Sequence, residues 1–116
     1  RKIAQYYIET INNSNIVLPG TKGQPVIDNL NHVWHVFAVR TANRKHFQDY
    51  LTQNGIQTVI HYPVPPHKQP AYRDWEGASF PVSEQIHREI ISLPISPVLT
   101  EDEYKTVADI VNNYQP

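Results

Sequence analysis

Residues 61–72 read HYPVPPHKQPAY, and the four prolines in this run (Pro63, Pro65, Pro66 and Pro70) constrain the chain more than any other feature. Each proline fixes φ near −65°, removes a backbone donor and pushes the preceding residue toward extended geometry. The segment is therefore a stiffened loop that presents side chains rather than building a sheet. Those side chains include His61, Tyr62, His67, Lys68, Gln69 and Tyr72. A stiff loop leaving the end of a strand holds binding groups at low ordering cost. The competing reading has its tyrosines and prolines packing over the core while the histidines are solvated.

The rest of the chain is ordinary by comparison. Its 116 residues fit one domain, long enough to bury about two thirds of its unfolded surface. A net charge of −1 with 18% charged residues disfavours binding to nucleic acid through phosphate-backbone attraction. With no cysteine there is no disulfide framework, thiolate nucleophile or thiolate zinc site, a composition compatible with the cytosol. The apolar runs fall far short of the roughly 20 residues that span a bilayer, so a soluble cytoplasmic chain is expected. The opening RKIAQYYIETIN is neither a signal peptide nor a natural translation start, which points to a fragment.

Periodicity predicts the elements. Ile3, Tyr6, Tyr7 and Ile11 share a stripe of a first helix, and Ile16 to Leu18 form a brief extended run. Residues 33–41, VWHVFAVRT, read as a central strand, with Trp34, Val36 and Ala38 on one face and His35, Phe37 and Val39 on the other. A helix follows, with Asn43 as N-cap, Phe47, Tyr50 and Leu51 at helical spacing, and Gly55 ending it. IQTVI, residues 56–60, is a second short strand that leads into the proline-rich loop, and a helical turn is expected over 69–75. Apolar residues at 82, 86 and 90 give a one-sided helix, after which ISLPIS is extended. Thr100 and Glu103 form a capping box for a last helix whose stripe is Tyr104, Val107, Val111 and Tyr114. Short, mostly antiparallel strands among helices make the class α+β, a small sheet packed with helices in two layers.

No established catalytic motif is present. His32 and His35, three apart in the expected strand, face opposite sides and do not share a metal, and no HExxH or calcium loop occurs. The serines lack a GxSxG elbow, and Gly20, Gly23, Gly55 and Gly77 have no phosphate-cradling spacing. No catalytic or metal-binding residue is assigned.

GIQTVIHYPVPPHKQPAY, then FPVSEQI, then ISLPISPVLTEDEYKTVADIVNNY, together with RKIAQYY and VWHVFAVR in the same order, resemble the carboxy-terminal part of the DegT/DnrJ/EryC1/StrS aminotransferases. The resemblance covers nearly the whole chain and is nearest to the enzymes that aminate a 3-keto-6-deoxyhexose on dTDP. It implies an aspartate-aminotransferase-like fold of which residues 1–116 are the small domain, the large cofactor-binding domain lying outside this chain. It also implies a homodimeric enzyme that uses pyridoxal phosphate to pass an amino group from glutamate to a nucleotide-linked keto sugar, in polysaccharide or glycan biosynthesis. None of Lys2, Lys22, Lys45, Lys68 and Lys105 lies in the family's context for the Schiff-base lysine, so the fragment is expected to be inactive alone and to hold no cofactor. By position in the family's motif, His61 and Tyr62 face the sugar nucleotide, often across a dimer interface, and His67 and Lys68 are further substrate-binding candidates. Gln69 and Tyr72 rank behind them, and His35 is expected to pack within the domain. A standalone binding module using the loop at 61–72 is the alternative.

Overall fold

The computed structural model describes residues 1–75 and 77–116. Four helices, α1 (Lys2–Thr10), α2 (Arg44–Gln53), α3 (Pro81–Glu89) and α4 (Glu101–Asn112), accompany two strands, β1 (Phe37–Arg40) and β2 (Ile90–Leu93). The strands pair antiparallel, with Phe37 opposite Leu93 and Arg40 opposite Ile90. Single bridges extend this sheet on both sides, Val17 to Arg40 and Val59 to Ser92. The apolar runs 16–18 and 56–60 are therefore flanking extended segments rather than full strands, and β1 is central as expected.

Alternation in β1 buries Phe37 and Val39 toward the helices, where Phe37 meets the buried Tyr7 of α1 edge-on at 5.0 Å. Tyr114, just past α4, packs on Phe47 of α2 with ring centroids 4.7 Å apart. Polar ties lock the outer helices together: Asn112 accepts from the amide of Asn12 at 2.7 Å, and the Tyr50 hydroxyl donates to the Ile110 carbonyl at 3.0 Å. The capping box of α4 forms as read, with Glu103 N–H donating to Thr100 Oγ1 and Thr100 N–H donating to Glu103 Oε2. Its stripe, Tyr104, Val107, Val111 and Tyr114, is buried throughout.

Several expectations are corrected. The strand expected over 33–41 begins only at Phe37, because Trp34 has a left-handed φ of 57° that breaks the extended path. His32 consequently sits in a loop, its Nδ1 accepting from the Trp34 amide at 2.9 Å, so the opposite-face argument for His32 and His35 does not apply. His35 is exposed instead of packed. Among the described residues no three His, Asp or Glu side chains gather in a way that holds a metal ion. The apolar stripe of α3 is not covered by the core: no residue of that helix is fully buried, and Val82 is 72% exposed. No helix is long and apolar enough to cross a membrane among the described residues.

Candidate ligand-binding loop

Ser92 of β2 anchors the start of the proline-rich loop twice. Its backbone exchanges hydrogen bonds with Val59, and its hydroxyl lies 3.0 Å from Nδ1 of the half-buried His61. Tyr62 follows, 65% exposed, with its ring edge-on to His61 and its carbonyl accepting from His87 Nδ1 of α3 at 2.6 Å. With His61 held at Nδ1, Nε2 is the ring nitrogen left to meet a ligand.

Pro65 is buried, and a 3-10 turn over Pro66–Lys68 swings His67 inward until it is only 3% exposed. Its Nε2 lies 3.1 Å from Glu84 Oε1, and its ring edge meets Phe80 at 4.9 Å. Lys68, on the other side of the turn, places Nζ 3.0 Å from Glu84 Oε2. The amide of Phe80 adds a third donor to the same carboxylate at 3.2 Å. Hydrogen bonds from Lys68, the Phe80 amide and His67 pull the Glu84 carboxyl from 4.5 down to about 2.

Two further 3-10 turns over Pro70–Trp75, separated by a kink at Tyr72, close the loop, with Tyr72 stacked on Trp75 at 5.4 Å. Between these and the turn at Pro66–Lys68 lies a concavity of about 320 Å³ lined by His67, Lys68, Gln69, Pro70, Tyr72 and Arg73. Two cations, an amide and an aromatic ring around one hollow suit a phosphorylated, ring-bearing ligand. His67, Lys68, Gln69 and Tyr72 are thus brought together. His61 and Tyr62 stand apart from that hollow, nearer the sheet. Sequence reasoning passed over Arg73, one residue beyond the proline-rich run, and Glu84, whose signal was an acid in the first turn after Pro81.

The DegT/DnrJ/EryC1/StrS aminotransferase family profile matches residues 1–112 of this chain. The chain belongs to that family. It is 54% identical over 98% of its length to dTDP-3-amino-3,6-dideoxy-alpha-D-galactopyranose transaminase of Aneurinibacillus thermoaerophilus, covering 30% of that protein. It is 42% identical to dTDP-3-amino-3,4,6-trideoxy-alpha-D-glucose transaminase of Streptomyces venezuelae over 84% of the chain and 26% of that protein. Among solved structures, S. venezuelae DesV in complex with a ketimine intermediate superposes with a TM-score of 0.80 at 36% identity, covering 96% of this chain and 29% of DesV. Bacillus subtilis NtdA with bound cofactor PMP gives a TM-score of 0.74 at 26% identity, over 95% of this chain and 26% of that one. The chain therefore spans about 30% of the length of the curated relatives it matches.

A pyridoxal cofactor needs an amine held in a desolvated, neutral-favouring setting. The lysines of this chain do not fit. Lys2 and Lys105 both pair with Glu101, which raises their pKa above the usual 10.5. Lys45 pairs with Asp49, Lys68 with Glu84, and the exposed Lys22 reaches Asn12.

Proposed function

We propose that residues 1–116 are the carboxy-terminal small domain, two-layered and α+β, of a homodimeric pyridoxal-phosphate-dependent aminotransferase. Its reaction passes an amino group from glutamate to a keto sugar carried on a nucleotide, with dTDP-3-keto-6-deoxyhexose as the first choice and glycan biosynthesis as the setting. The observation that carries this reading is the 54% identity, over nearly the whole chain, to a dTDP-sugar transaminase. Because the lysines here do not fit the cofactor, the cofactor-holding lysine belongs to a large domain outside these residues.

The small domain's part is recognition. His61, held at Nδ1 by Ser92, offers Nε2 to a sugar hydroxyl or diphosphate oxygen, and the exposed Tyr62 ring offers a face to the sugar or base. Lys68 and Arg73 supply positive charge at the hollow beside His67, where a diphosphate is stabilised. The standalone-module reading gains nothing from the geometry, whereas the exposed apolar surface beside the loop suits a chain that docks on a larger body.

The test is His61→Ala in the full-length protein, with each half-reaction followed in single turnovers. Loss of one hydrogen bond to a charged group costs about 1.5–3 kcal/mol, so use of the keto sugar should fall roughly ten- to a hundredfold. The glutamate half-reaction should stay close to the unmodified rate, since glutamate need not reach the nucleotide site. Equal impairment of both halves with a lower melting temperature would return His61 to the scaffold.

A further inference from the structure

Glu84 occupies a place that the ligand-binding reading leaves unexplained. Both its oxygens are spoken for: Oε1 accepts from His67 Nε2 and from the Phe80 amide, at 3.1 and 3.2 Å, and Oε2 from Lys68 Nζ at 3.0 Å. A carboxylate so engaged has little capacity left for a ligand, and an anionic ligand would repel it. What it does join is two pieces of chain, the 3-10 turn at Pro66–Lys68 and α3, whose own first turn it ties back to the Phe80 amide. One of those partners, His67, is almost wholly buried, so its ring nitrogen needs this acceptor to offset its desolvation. His87, one turn further along α3, grips the Tyr62 carbonyl at 2.6 Å, so α3 braces the loop at two points. Prolines stiffen the loop internally, but stiffness alone does not say where the loop stands relative to the sheet. The contacts from α3 do.

Resting on the proposed function, we infer that Glu84 is a positioning residue for sugar-nucleotide recognition, acting through His67 and Lys68 to hold residues 61–73 in the receptive arrangement. Its carboxylate also restrains the side chain of Lys68, one of the residues that line the hollow, which lowers the ordering cost of receiving a ligand there. Glu84→Gln keeps the shape and one carbonyl acceptor but removes the negative charge that holds Lys68 and the second carboxylate oxygen that shares the work of accepting from the turn.

The experiment uses the full-length protein and two readouts. In steady-state kinetics with a dTDP-linked 3-keto-6-deoxyhexose, Glu84→Gln should raise KM about tenfold while kcat and the glutamate half-reaction stay within about twofold, the pattern of lost binding geometry rather than lost chemistry. In hydrogen exchange, the amides of Lys68, Gln69 and Tyr72, which donate to Pro65, Pro66 and Gln69, should exchange faster while α4 is unchanged. Lys68→Met, which removes one arm at a half-exposed position, should give a smaller shift in the same amides and serves if Glu84→Gln folds poorly. Unchanged KM with unchanged exchange over 66–72 overturns the inference, as does equal loss in both half-reactions with a lower melting temperature. If the unmodified protein aminates no nucleotide-linked keto sugar, the proposed function fails instead, and the exchange result alone then decides: faster exchange over 66–72 upholds the clamp, and unchanged exchange overturns it.

Discussion

Glu84 and Glu101 contribute to the acid sensitivity of this domain, because each is a carboxylate held ionised by a neighbouring lysine. Lys68 dominates at Glu84 and Lys105 at Glu101, and both carboxyls fall from 4.5 to about 2. A carboxyl whose pKa is lowered by folding stabilises the fold fully above its unfolded value and ceases to do so as pH falls through its folded one. The contribution of each is therefore complete above pH 4.5 and gone near pH 2. Thermal melts across that interval should show the melting temperature dropping with acid, and Glu84→Gln and Glu101→Gln should each flatten part of the drop. A variant whose pH profile parallels the parent's would show that its carboxylate is not held by the fold. Tyr7 tests the opposite limb. Its hydroxyl donates to the Pro94 carbonyl at 2.9 Å from a fully buried ring, and burial pushes the phenol upward from 10.0. A raised pKa stabilises below the unfolded value and is lost as pH climbs past it, so Tyr7→Phe should cost about 1 kcal/mol at neutral pH and soften the loss above pH 10. Denaturant titrations at pH 7 and pH 10.5 measure both.

At the scale of elements, the Thr100 cap gives the cleanest expectation. Thr100→Ala removes the acceptor for Glu103 N–H and half of a reciprocal box, and should destabilise by about 1 kcal/mol, seen as a lower urea midpoint with unchanged slope. An unchanged midpoint would mean that the packing of Tyr104, Val107 and Val111 alone decides where α4 starts. This helix was fully legible in the sequence because cap, box and stripe all agree, and α2 nearly so, with Asn43 at its start and Gly55 at a φ of 77° past its end. Asn43 occupies the cap position without a side-chain hydrogen bond, so its backbone geometry rather than its amide sets that boundary. The strand at 33–41 was legible only in part, since composition cannot announce the left-handed Trp34 that confines pairing to Phe37–Arg40. For α3, periodicity revealed a helix and not what covers it, because a stripe at 82, 86 and 90 reads the same against a core or in the open. In the loop, proline density and ring-bearing side chains marked His61, Tyr62, His67 and Lys68. The turn that buries His67 and hands it to Glu84 comes from chain 17 residues away, a separation that local patterns do not encode.

The whole molecule is more extended than its length calls for. A self-contained domain of 116 residues has a radius of gyration of about 13 Å, whereas this chain has 15.3 Å and extents of 47 × 34 × 26 Å. Around the ligand loop and α3, Tyr62, Trp75, Phe80 and Val82 leave large apolar side chains about half or more in the open, and an apolar groove of about 590 Å³ runs along Phe80, Val82 and Ile86. On the proposed function, the exposed apolar surface beside the candidate loop is a docking face whose occupant is the large domain or the dimer partner. Val82→Lys separates the two environments that this residue has in the 116-residue chain and in the full-length protein. In the 116-residue chain the side chain is 72% exposed, so the substitution should change stability by no more than about 0.5 kcal/mol while lowering any concentration-dependent association seen by sedimentation. In the full-length protein the same lysine would be buried against an apolar partner without a counter-charge, which costs several kcal/mol and should weaken assembly or the melting transition markedly. A full-length protein indifferent to Val82→Lys would show that α3 stays open to solvent there, and the docking face would have to be sought elsewhere on the chain.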